Sequence, residues 1–359
     1  MKILTLPAGE TYYQWGLLHG STFRKEIAEI AAIRTNLARE IGGFRDNAQV
    51  LALAQAHMPF LESFDPSLFS EVKGIAAGSG VSEAEIVVVN HYTDLRDIGR
   101  STDDIDALID HPADLGGCSV IYTPTAKGPL LGQTWDIHGS ALPYVAMLRV
   151  PEHRTDEGIV PESWVLTITG CVGMAGINTN GVAVTINNLK SLDARVGVLW
   201  PALVRKMLAA PTARDARRVL NDAPVGSGHH YFMADREEAF GIETSGLLKR
   251  EIFSDPSKAF IHTNHCLDTE IGQCSTVAPT STTFERYETL TRDQTESPIR
   301  TVSDLWERFS TVYTNLQSAS TPHGVRTCAT IVMDLTTLET WVVEDEVQPE
   351  LATRLTFND

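Results

Sequence analysis

Apolar residues recur with a helical period in the first third of the chain. Between residues 10 and 57, and again between 66 and 92, they lie three or four positions apart, which is the spacing of an amphipathic helix. The clearest examples are Leu17, Ile27, Ile30, Ile33 and Leu37. The glycines at 74, 78 and 80 indicate a turn between two helices. We therefore predict that this third is largely α-helical.

From residue 118 onward, short apolar runs separated by Gly, Pro and Asn predict β-strands. The first runs are CSVIYTP, PLLGQTWDI, YVAMLRV, SWVLTIT and GVAVTIN. Two helical segments, near 199–209 and 212–222, precede the strands HHYFMAD, AFGIET, LLKREIF and KAFIHTN. Two more helices, over 283–295 and 301–315, precede a hairpin made of CATIVMDL and ETWVVED. These alternating blocks predict a layered α+β domain rather than a parallel βαβ fold.

Residues 101–117, STDDIDALIDHPADLGG, interrupt both patterns. The segment contains five Asp residues, has no Lys or Arg, and ends in Gly-Gly. This composition predicts an exposed, flexible segment. Because it directly precedes Cys118, we expect it to plug or border a site at that residue before any cleavage there.

The composition narrows the class of protein. The chain has 359 residues, of which 43% are hydrophobic, and its net charge is −17 at pH 7. This charge disfavours nucleic acid and anionic membranes as partners. No apolar run approaches the ~20 residues of a membrane span, and the first fifteen residues lack a secretory apolar core. We expect a cytoplasmic protein that has no nucleic-acid or membrane partner.

Neither a disulfide framework nor a bound group is predicted. The five Cys are odd in number, widely spaced and without a CxxC pair. The nucleotide motifs GxGxxG and GxxxxGK[ST] are absent from the sequence. The histidine pairs at 229–230 and 262–265 suggest no third metal ligand. We therefore expect no cofactor and no metal.

The tetrapeptide Gly116-Gly117-Cys118-Ser119 opens the first predicted strand. Glycine adopts φ values that other residues avoid, so the Gly117–Cys118 peptide can be held strained. The Cys118 thiol could attack the Gly117 carbonyl, and hydrolysis of the thioester would free the Cys118 α-amine as a base beside its own nucleophile. A loop glycine pair before a structural cysteine is the alternative interpretation.

Three other segments carry polar groups that this chemistry needs. Asp136 lies on the second predicted strand, which a hairpin would bring back beside Cys118, where a carboxylate can orient the new ammonium group. Asn264, in HTNH, ends a strand and offers an amide donor to an oxyanion. Arg326 precedes the strand CATIVMDL and supplies a cation.

Together these motifs resemble the autoproteolytic family that includes acyl-CoA:6-aminopenicillanate acyltransferase, a branch of the N-terminal-nucleophile hydrolases. The resemblance rests on GGCS, GQTWD, GINTNGVAVTINNL, HTNH and RTCATIVMDL, whose order and spacing agree over nearly the whole chain. It implies a four-layer αββα sandwich in one integrated domain. Residues 1–117 would form a mostly helical α chain, and residues 118–359 a β chain.

The resemblance also implies roles for individual residues. Cleavage between Gly117 and Cys118 would make Cys118 the N-terminal nucleophile. Asp136 would be the family's carboxylate, Asn264 the oxyanion donor, and Arg326 a cation near the cysteine.

Further positions are candidate substrate contacts. These are Ser119, Asn187 and His262, and local turn bonding is the alternative for Asn187. The sequence departs from the family at Ser119-Val120, where the acyltransferase has two Thr, and at Thr134, where it has Asn. Both departures argue against transfer to a penicillin nucleus and leave the nucleophile intact, and the change at Ser119-Val120 favours hydrolysis.

A self-cleaving cysteine amidohydrolase is the leading interpretation. It would cut the linear C–N amide bond of a small N-acyl compound through an acyl-thioester on Cys118. The alternatives are an acyltransferase that moves an acyl group from a thioester or amide to a small amine, an uncut cysteine hydrolase that uses a histidine, and an inactive binding protein of the same fold. The expected partners are a small amide or thioester, and the α and β chains of one precursor for each other. Homo-oligomer formation is left open.

Overall fold

Helices fill most of the first hundred residues, as the apolar period predicts. The computed structural model describes residues 1–100, 117–156, 158–279, 281–313, 324–345 and 347–358. Its helices are α1 (Tyr12–Thr22), α2 (Arg24–Gly42), α3 (Asn47–Phe64), α4 (Pro66–Ser79), α5 (Glu83–Arg100), α6 (Trp200–Leu208), α7 (Ala213–Asp222), α8 (Thr269–Gln273), α9 (Thr283–Glu296) and α10 (Val302–Tyr313). The predicted helical third is therefore confirmed by α1–α5.

Glycines let α1 and α4 pack with their main chains in contact. A Cβ added at Gly16 would lie only 2.0 Å from the main-chain oxygen of Glu71. The turn predicted around the α4 glycines is wrong in its position, because the helix continues through Gly74 and Gly78. It ends where Gly80 adopts a left-handed φ of 81°.

Cys118 begins the first strand after the helices, where the pattern predicts the change to β-structure. The strands are β1 (Lys2–Thr5), β2 (Cys118–Thr123), β3 (Leu130–His138), β4 (Val145–Val150), β5 (His153–Thr155), β6 (Gly158–Val160), β7 (Ser163–Ile168), β8 (Ala175–Asn178), β9 (Ala183–Asn188), β10 (His229–Ala234), β11 (Ala239–Thr244), β12 (Lys249–Phe253), β13 (Phe260–His262), β14 (Val325–Asp334), β15 (Thr340–Glu344) and β16 (Thr353–Leu355). Strand β1, which pairs in parallel with β4, was not predicted from the sequence.

Two large sheets organise these strands. In the described part of the chain, one sheet has eight strands in the order β1-β4-β7-β8-β9-β10-β11-β12, and the other has six in the order β13-β2-β3-β14-β15-β16. β5 and β6 pair with each other. The C-terminal hairpin predicted from the sequence is confirmed as β14 and β15, which are antiparallel neighbours.

Three hydrophobic clusters show how the layers stack. The first lies between helices α1–α7 and the eight-stranded sheet, the second between the two sheets, and the third between the six-stranded sheet and helices α9 and α10. Representative members are, in that order, Val72 and Val184, Val120 and Leu166, and Ile121 and Phe309. The order helix, sheet, sheet, helix confirms the α+β class and the four-layer αββα sandwich.

A buried ion pair connects helix α4, in the N-terminal third of the chain, to helix α6, which lies between β9 and β10. Glu71 on α4 is fully buried, and its Oε1 lies 3.3 Å from Nη1 of Arg205 on α6. Arg205 also donates to the carbonyl oxygen of Val172 at 2.9 Å. Burial raises the pKa of the Glu71 carboxyl, and the positive charge of Arg205 opposes that rise. Neither charge is solvated, so each depends on the other.

Two further expectations concern the chain as a whole. Among the described residues, no helix combines the length and the apolar character needed to cross a membrane. The segment 101–117, predicted to be flexible, lies outside the described residues except for Gly117.

Candidate active site

The Gly117–Cys118 peptide is held at both of its polar groups. Cys118 lies opposite Trp135 in the antiparallel pairing of β2 with β3. The Asp136 amide donates to the Gly117 carbonyl at 2.7 Å, and the Gly117 amide donates to the Asp136 carbonyl at 3.0 Å. The Cys118 amide donates to Oδ1 of Asn264 at 2.6 Å. The peptide is therefore fixed in the sheet with its neighbouring side chains.

Gly117 leaves room for the Arg286 guanidinium, which is a different role from the predicted one. An unusual φ was expected at Gly117, but its φ lies outside the left-handed region. A Cβ at this position would instead lie 2.6 Å from Nη2 of Arg286 and 3.3 Å from Oδ1 of Asn264. Only a residue without a side chain lets the guanidinium approach the peptide this closely.

Arg286, on α9, is the cation beside Cys118. It is 2% exposed. Its Nη1 donates to the Cys118 carbonyl and to Oγ of Ser119, both at 3.0 Å. Its Nη2 donates to Oδ1 of Asn264 at 2.9 Å, and its Nε donates to Oγ1 of Thr282 at 3.1 Å. This side chain therefore links the nucleophile to the predicted oxyanion residue.

Arg286 was not selected from the sequence, because only the folded helix shows that this side chain faces inward. The buried residues of α9 are Thr283, Arg286 and Leu290. They recur at helical spacing, so Arg286 occupies the inward stripe of an otherwise polar helix. Arginine is rarely buried unless it is paired, so its position on that stripe marks a built site.

Asp136 and Cys118 have opposite protonation preferences in the uncut chain. Burial raises the pKa of the Asp136 carboxyl to about 6, while Arg286 and hydrogen bonds from Thr327 and Thr134 favour its charged form. Burial also raises the pKa of the Cys118 thiol to about 12. The Asp136 charge adds to this rise, and the Asp136 amide and Arg286 oppose it. A protonated thiol thus lies near a carboxylate that is ionised at neutral pH.

Asn264 reaches Cys118 with its oxygen. The side-chain Oδ1 accepts from the Cys118 amide and from Arg286, while Nδ2 donates to the Asn188 carbonyl at 3.0 Å. Oγ1 of Thr283 accepts the main-chain N–H of Asn264 at 2.7 Å. Because Nδ2 carries two protons, one of them remains for an oxyanion.

The three candidate substrate contacts lie behind Cys118 rather than on the cavity surface. Ser119, Asn187 and His262 are each fully buried. Oγ of Ser119 accepts from the Arg286 guanidinium. Nδ2 of Asn187 donates to the Cys118 carbonyl at 2.9 Å, and Nε2 of His262 lies 2.8 Å from a carboxylate oxygen of Glu243. None of the three lines the cavity at Cys118, and Ser119 and Asn187 instead contact Arg286 and the Cys118 main chain.

Arg326 is not brought to Cys118, which corrects the position expected for it. Its side chain is 41% exposed, and its guanidinium donates to Asp345. Thr327 lies opposite Asp136 on the neighbouring strand and donates to its carboxylate. Adjacent residues of a strand face opposite sides, so the inward position of Thr327 turns Arg326 outward.

An aromatic cavity of about 520 Å³ opens at Cys118. A smaller cavity of about 290 Å³ shares two of its lining residues, Asn188 and Asn264. Within the described ranges, no group of three or more His, Cys, Asp or Glu side chains is arranged to hold a metal ion. The lining residues of the larger cavity are Tyr92, Thr93, Arg96, Gly117, Cys118, Trp135, Asp136, Ile137, Ile186, Asn188, Trp200, His229 and Asn264.

We expect any cleavage at Gly117–Cys118 to slow under acidic conditions. The Asp136 carboxyl, with its pKa raised to about 6, can accept the thiol proton only when it is ionised. The cleavage rate should therefore rise with pH through about 6. Freshly refolded precursor can be sampled by mass spectrometry across buffers from about pH 5 to pH 8. A rate that does not change over this range would exclude Asp136 as the proton acceptor.

A four-layer αββα sandwich with a cysteine at the start of an inner strand is the architecture of the N-terminal-nucleophile hydrolases. Within that class, the chain belongs to the acyl-coenzyme A:6-aminopenicillanic acid acyl-transferase family, whose sequence pattern matches residues 123–348. This match spans well over half of the chain and includes Asp136, Asn264 and Arg286.

The individual proteins that resemble this chain share a quarter or less of its residues in the aligned regions. The chain is 25% identical over 255 residues to the 40 kDa form of acyl-coenzyme A:6-aminopenicillanic-acid-acyltransferase from Emericella nidulans, an alignment that spans 70% of this chain and 66% of that protein. Penicillin V acylase from Agrobacterium tumefaciens is 14% identical, with a TM-score of 0.41 over 67% of this chain and 86% of the other. A variant of conjugated bile acid hydrolase from Clostridium perfringens is 10% identical, with a TM-score of 0.48 over 67% and 93%.

Proposed function

We propose that the chain cuts itself between Gly117 and Cys118 and then acts as a cysteine amidohydrolase on a small N-acyl compound. The strongest support is the environment of that peptide. Its carbonyl accepts from the Asp136 amide, its N–H donates to Asn264, and the Arg286 guanidinium packs against it at the edge of a cavity. A peptide fixed at both polar groups beside a buried cation is preorganised for attack by the adjacent thiol.

Self-cleavage would proceed through a thioester. The Cys118 thiol gives its proton to the Asp136 carboxylate, and Sγ attacks the Gly117 carbonyl carbon. The Asp136 N–H and the Arg286 guanidinium stabilise the oxyanion. The C–N bond then breaks and the Cys118 nitrogen takes up a proton. Water hydrolyses the thioester to a Gly117 carboxylate and a free Cys118 α-amine and thiol.

The cut enzyme would use the same groups on an external amide. The Cys118 α-amine, with an ordinary pKa of about 7.7–8.0, accepts the thiol proton and later gives it to the leaving amine. Asp136 holds the ammonium form, while Arg286 and the second N–H of Asn264 donate to the oxyanion. The acyl group remains on Sγ until water releases it as an acid. The aromatic walls of the cavity suit an apolar acyl group.

Acyl transfer is the second candidate, because the matched family and the fungal relative are named for it. Two observations favour hydrolysis. The parts of the chain before and after the cut both contain more acidic than basic residues, which disfavours the phosphates of coenzyme A. The basic pair Arg205 and Lys206 is also engaged, with Glu71 and Asp65 respectively.

The self-cleavage proposal is tested on the purified wild-type chain. A denaturing gel and intact mass spectrometry should reveal two chains, residues 1–117 and 118–359. A chain that remains whole after prolonged incubation at neutral pH would overturn self-cleavage. A whole chain that binds N-acyl compounds without turnover would favour the inactive binding protein.

Product partition should favour the free acid over an acylated amine. Both outcomes share the acyl-thioester on Cys118 and differ only in whether water or an amine attacks it. Cut enzyme is incubated with a simple N-acyl amide or thioester while candidate amines are titrated up to about 1 mM, a concentration at which many substrates already bind. Chromatography then measures the two products. An excess of N-acylated amine under these conditions would make the protein a transferase.

A further inference from the structure

The Cys118 carbonyl is held by side chains from two different layers. Nη1 of Arg286 donates to it at 3.0 Å from the helical layer, and Nδ2 of Asn187 donates to it at 2.9 Å from the eight-stranded sheet. Asn187 lies on β9 and Cys118 on β2, so the second contact joins the two sheets. Arg286 has a role in the proposed mechanism, whereas the hydrogen bond from Asn187 has none so far.

Two stacked histidines face the oxygen of Asn187. Nδ1 of His230 lies 2.8 Å from Oδ1 of Asn187, and Nδ1 of His262 lies 3.1 Å from the same atom. The two rings are 3.8 Å apart and nearly parallel. An amide oxygen only accepts hydrogen bonds, so both Nδ1 atoms must donate. This fixes the orientation of the Asn187 carboxamide, with its nitrogen toward Cys118.

The neighbours of His262 determine how many protons its ring carries. Its Nδ1 lies 2.7 Å from the carbonyl oxygen of Thr263 as well as near Asn187, and its Nε2 lies 2.8 Å from Oε1 of Glu243. Each of these partners is an acceptor. Both ring nitrogens must therefore carry a proton, which makes the His262 ring an imidazolium.

The opposite charge comes from Glu243, on β11. Its carboxylate also accepts the main-chain amides of Leu267 at 2.7 Å and Asp268 at 3.0 Å, so its two oxygens accept three hydrogen bonds in all. Burial and the nearby charge of His262 lower the pKa of His230 well below its usual value. The second ring is therefore neutral, with one proton on Nδ1.

We propose that the fully buried Glu243–His262 ion pair positions the nucleophile by locking the Asn187 carboxamide onto the Cys118 carbonyl. This inference rests on the proposed self-cleavage. Once the chain is cut, Cys118 becomes a chain terminus and loses its covalent link to the pairing between Gly117 and Asp136. The two carbonyl contacts then hold the new terminus in line with its strand.

The substitution Glu243→Gln should remove the lock while keeping the size of the side chain. A neutral amide no longer favours the imidazolium, so the His262 ring loses one proton. If the amide oxygen at position 243 still accepts from Nε2, the nitrogen that loses its proton is Nδ1, which then faces two acceptors, Oδ1 of Asn187 and the carbonyl oxygen of Thr263. The Asn187 carboxamide can relieve this repulsion by turning over, which takes its N–H groups away from Cys118.

The proton count on His262 is tested by nitrogen NMR of histidine-labelled protein, with the signals assigned by their loss in His262→Gln. In the wild type, both ring nitrogens should give imidazolium signals at neutral pH, because each nitrogen lies against an acceptor. Glu243→Gln should convert them to the signals of a neutral ring, and Glu243→Asp should retain the charge. A neutral His262 in the wild type would overturn the inference, whether or not any variant folds.

The positioning role is tested by kinetics on the cut enzyme. Glu243→Gln should lower kcat by about 10–100-fold and leave KM nearly unchanged. An effect of this size is usual when a residue that orients an active-site group is lost. Glu71→Gln is the matched control, because it replaces another fully buried carboxylate with the same amide at a position that does not line the cavity at Cys118. Kinetics are normalised to the folded fraction. Equal kcat values for the two variants would overturn the positioning role, whereas an uncut and inactive wild type would overturn the proposed function.

Discussion

Cys118→Ala should remain a single chain of 359 residues and should have no amidase activity. The substitution removes the only sulfur at the Gly117–Cys118 peptide, so neither the self-cleavage thioester nor the acyl-thioester can form. Activity should fall by roughly 10⁴-fold or more, as it does when a nucleophile is removed from other hydrolases. Intact mass spectrometry measures the first effect, and release of a chromogenic amine measures the second.

The matched control is Cys171→Ala, which removes another buried thiol of the core between the sheets. It should lose some stability yet cut itself and remain active. If Cys118→Ala were still cut at the same bond, a contaminating protease would explain the cut, and the intramolecular mechanism would be wrong.

Arg286→Met should slow both self-cleavage and turnover by about 10²–10³-fold, the usual effect of losing an oxyanion donor. Methionine fills much of the same volume but donates no hydrogen bond. The Cys118 carbonyl and Oδ1 of Asn264 would each lose a donor. The buried Asp136 would also lose its nearby positive charge, so the pKa of its carboxyl would rise and the pH at which cleavage begins would move upward.

Stability should fall as well, by about 3–5 kcal/mol, because a buried network loses one charged partner. Arg308→Met is the matched control, since Arg308 is also buried in the outer helical layer and donates to the Ser297 carbonyl. Denaturant unfolding separates stability from catalysis. A normal cleavage rate in folded Arg286→Met would remove Arg286 from the mechanism, whatever its effect on stability.

The helices, the strands and the start of β2 could be predicted from the sequence. The spacing of apolar residues that indicates a helix or a strand depends only on residues that are close together in the chain. The helical period before Cys118 and the short apolar runs after it correspond to α1–α5 and to the strands. β1 was missed because four residues contain too little of a period to be recognised. The pairing of strands into two facing sheets came from the family resemblance.

The site was harder to predict because its contacts join distant parts of the chain. Arg326 was chosen for its charge beside an apolar strand. The pairing of β14 with β3 is irregular between Thr327 and Ala329, and this irregularity affects which side of the sheet each side chain faces. No pattern in the sequence indicates it. Arg286 was missed because a charged helical residue normally faces solvent. The Glu243–His262 pair joins strands of different sheets, so only the packing of the two layers brings it together.

If the chain is cut at Cys118, the buried pair between Glu71 and Arg205 would become a contact between two separate polypeptides. The cut would leave the two opposite charges on separate polypeptides, each surrounded by the apolar surface of its own half. Pulling the halves apart would strand a carboxylate on one and a guanidinium on the other, in addition to removing the β1 edge strand from its sheet. Fragments from two differently tagged preparations should therefore not exchange when mixed, and each cut molecule would keep its original partner for its lifetime.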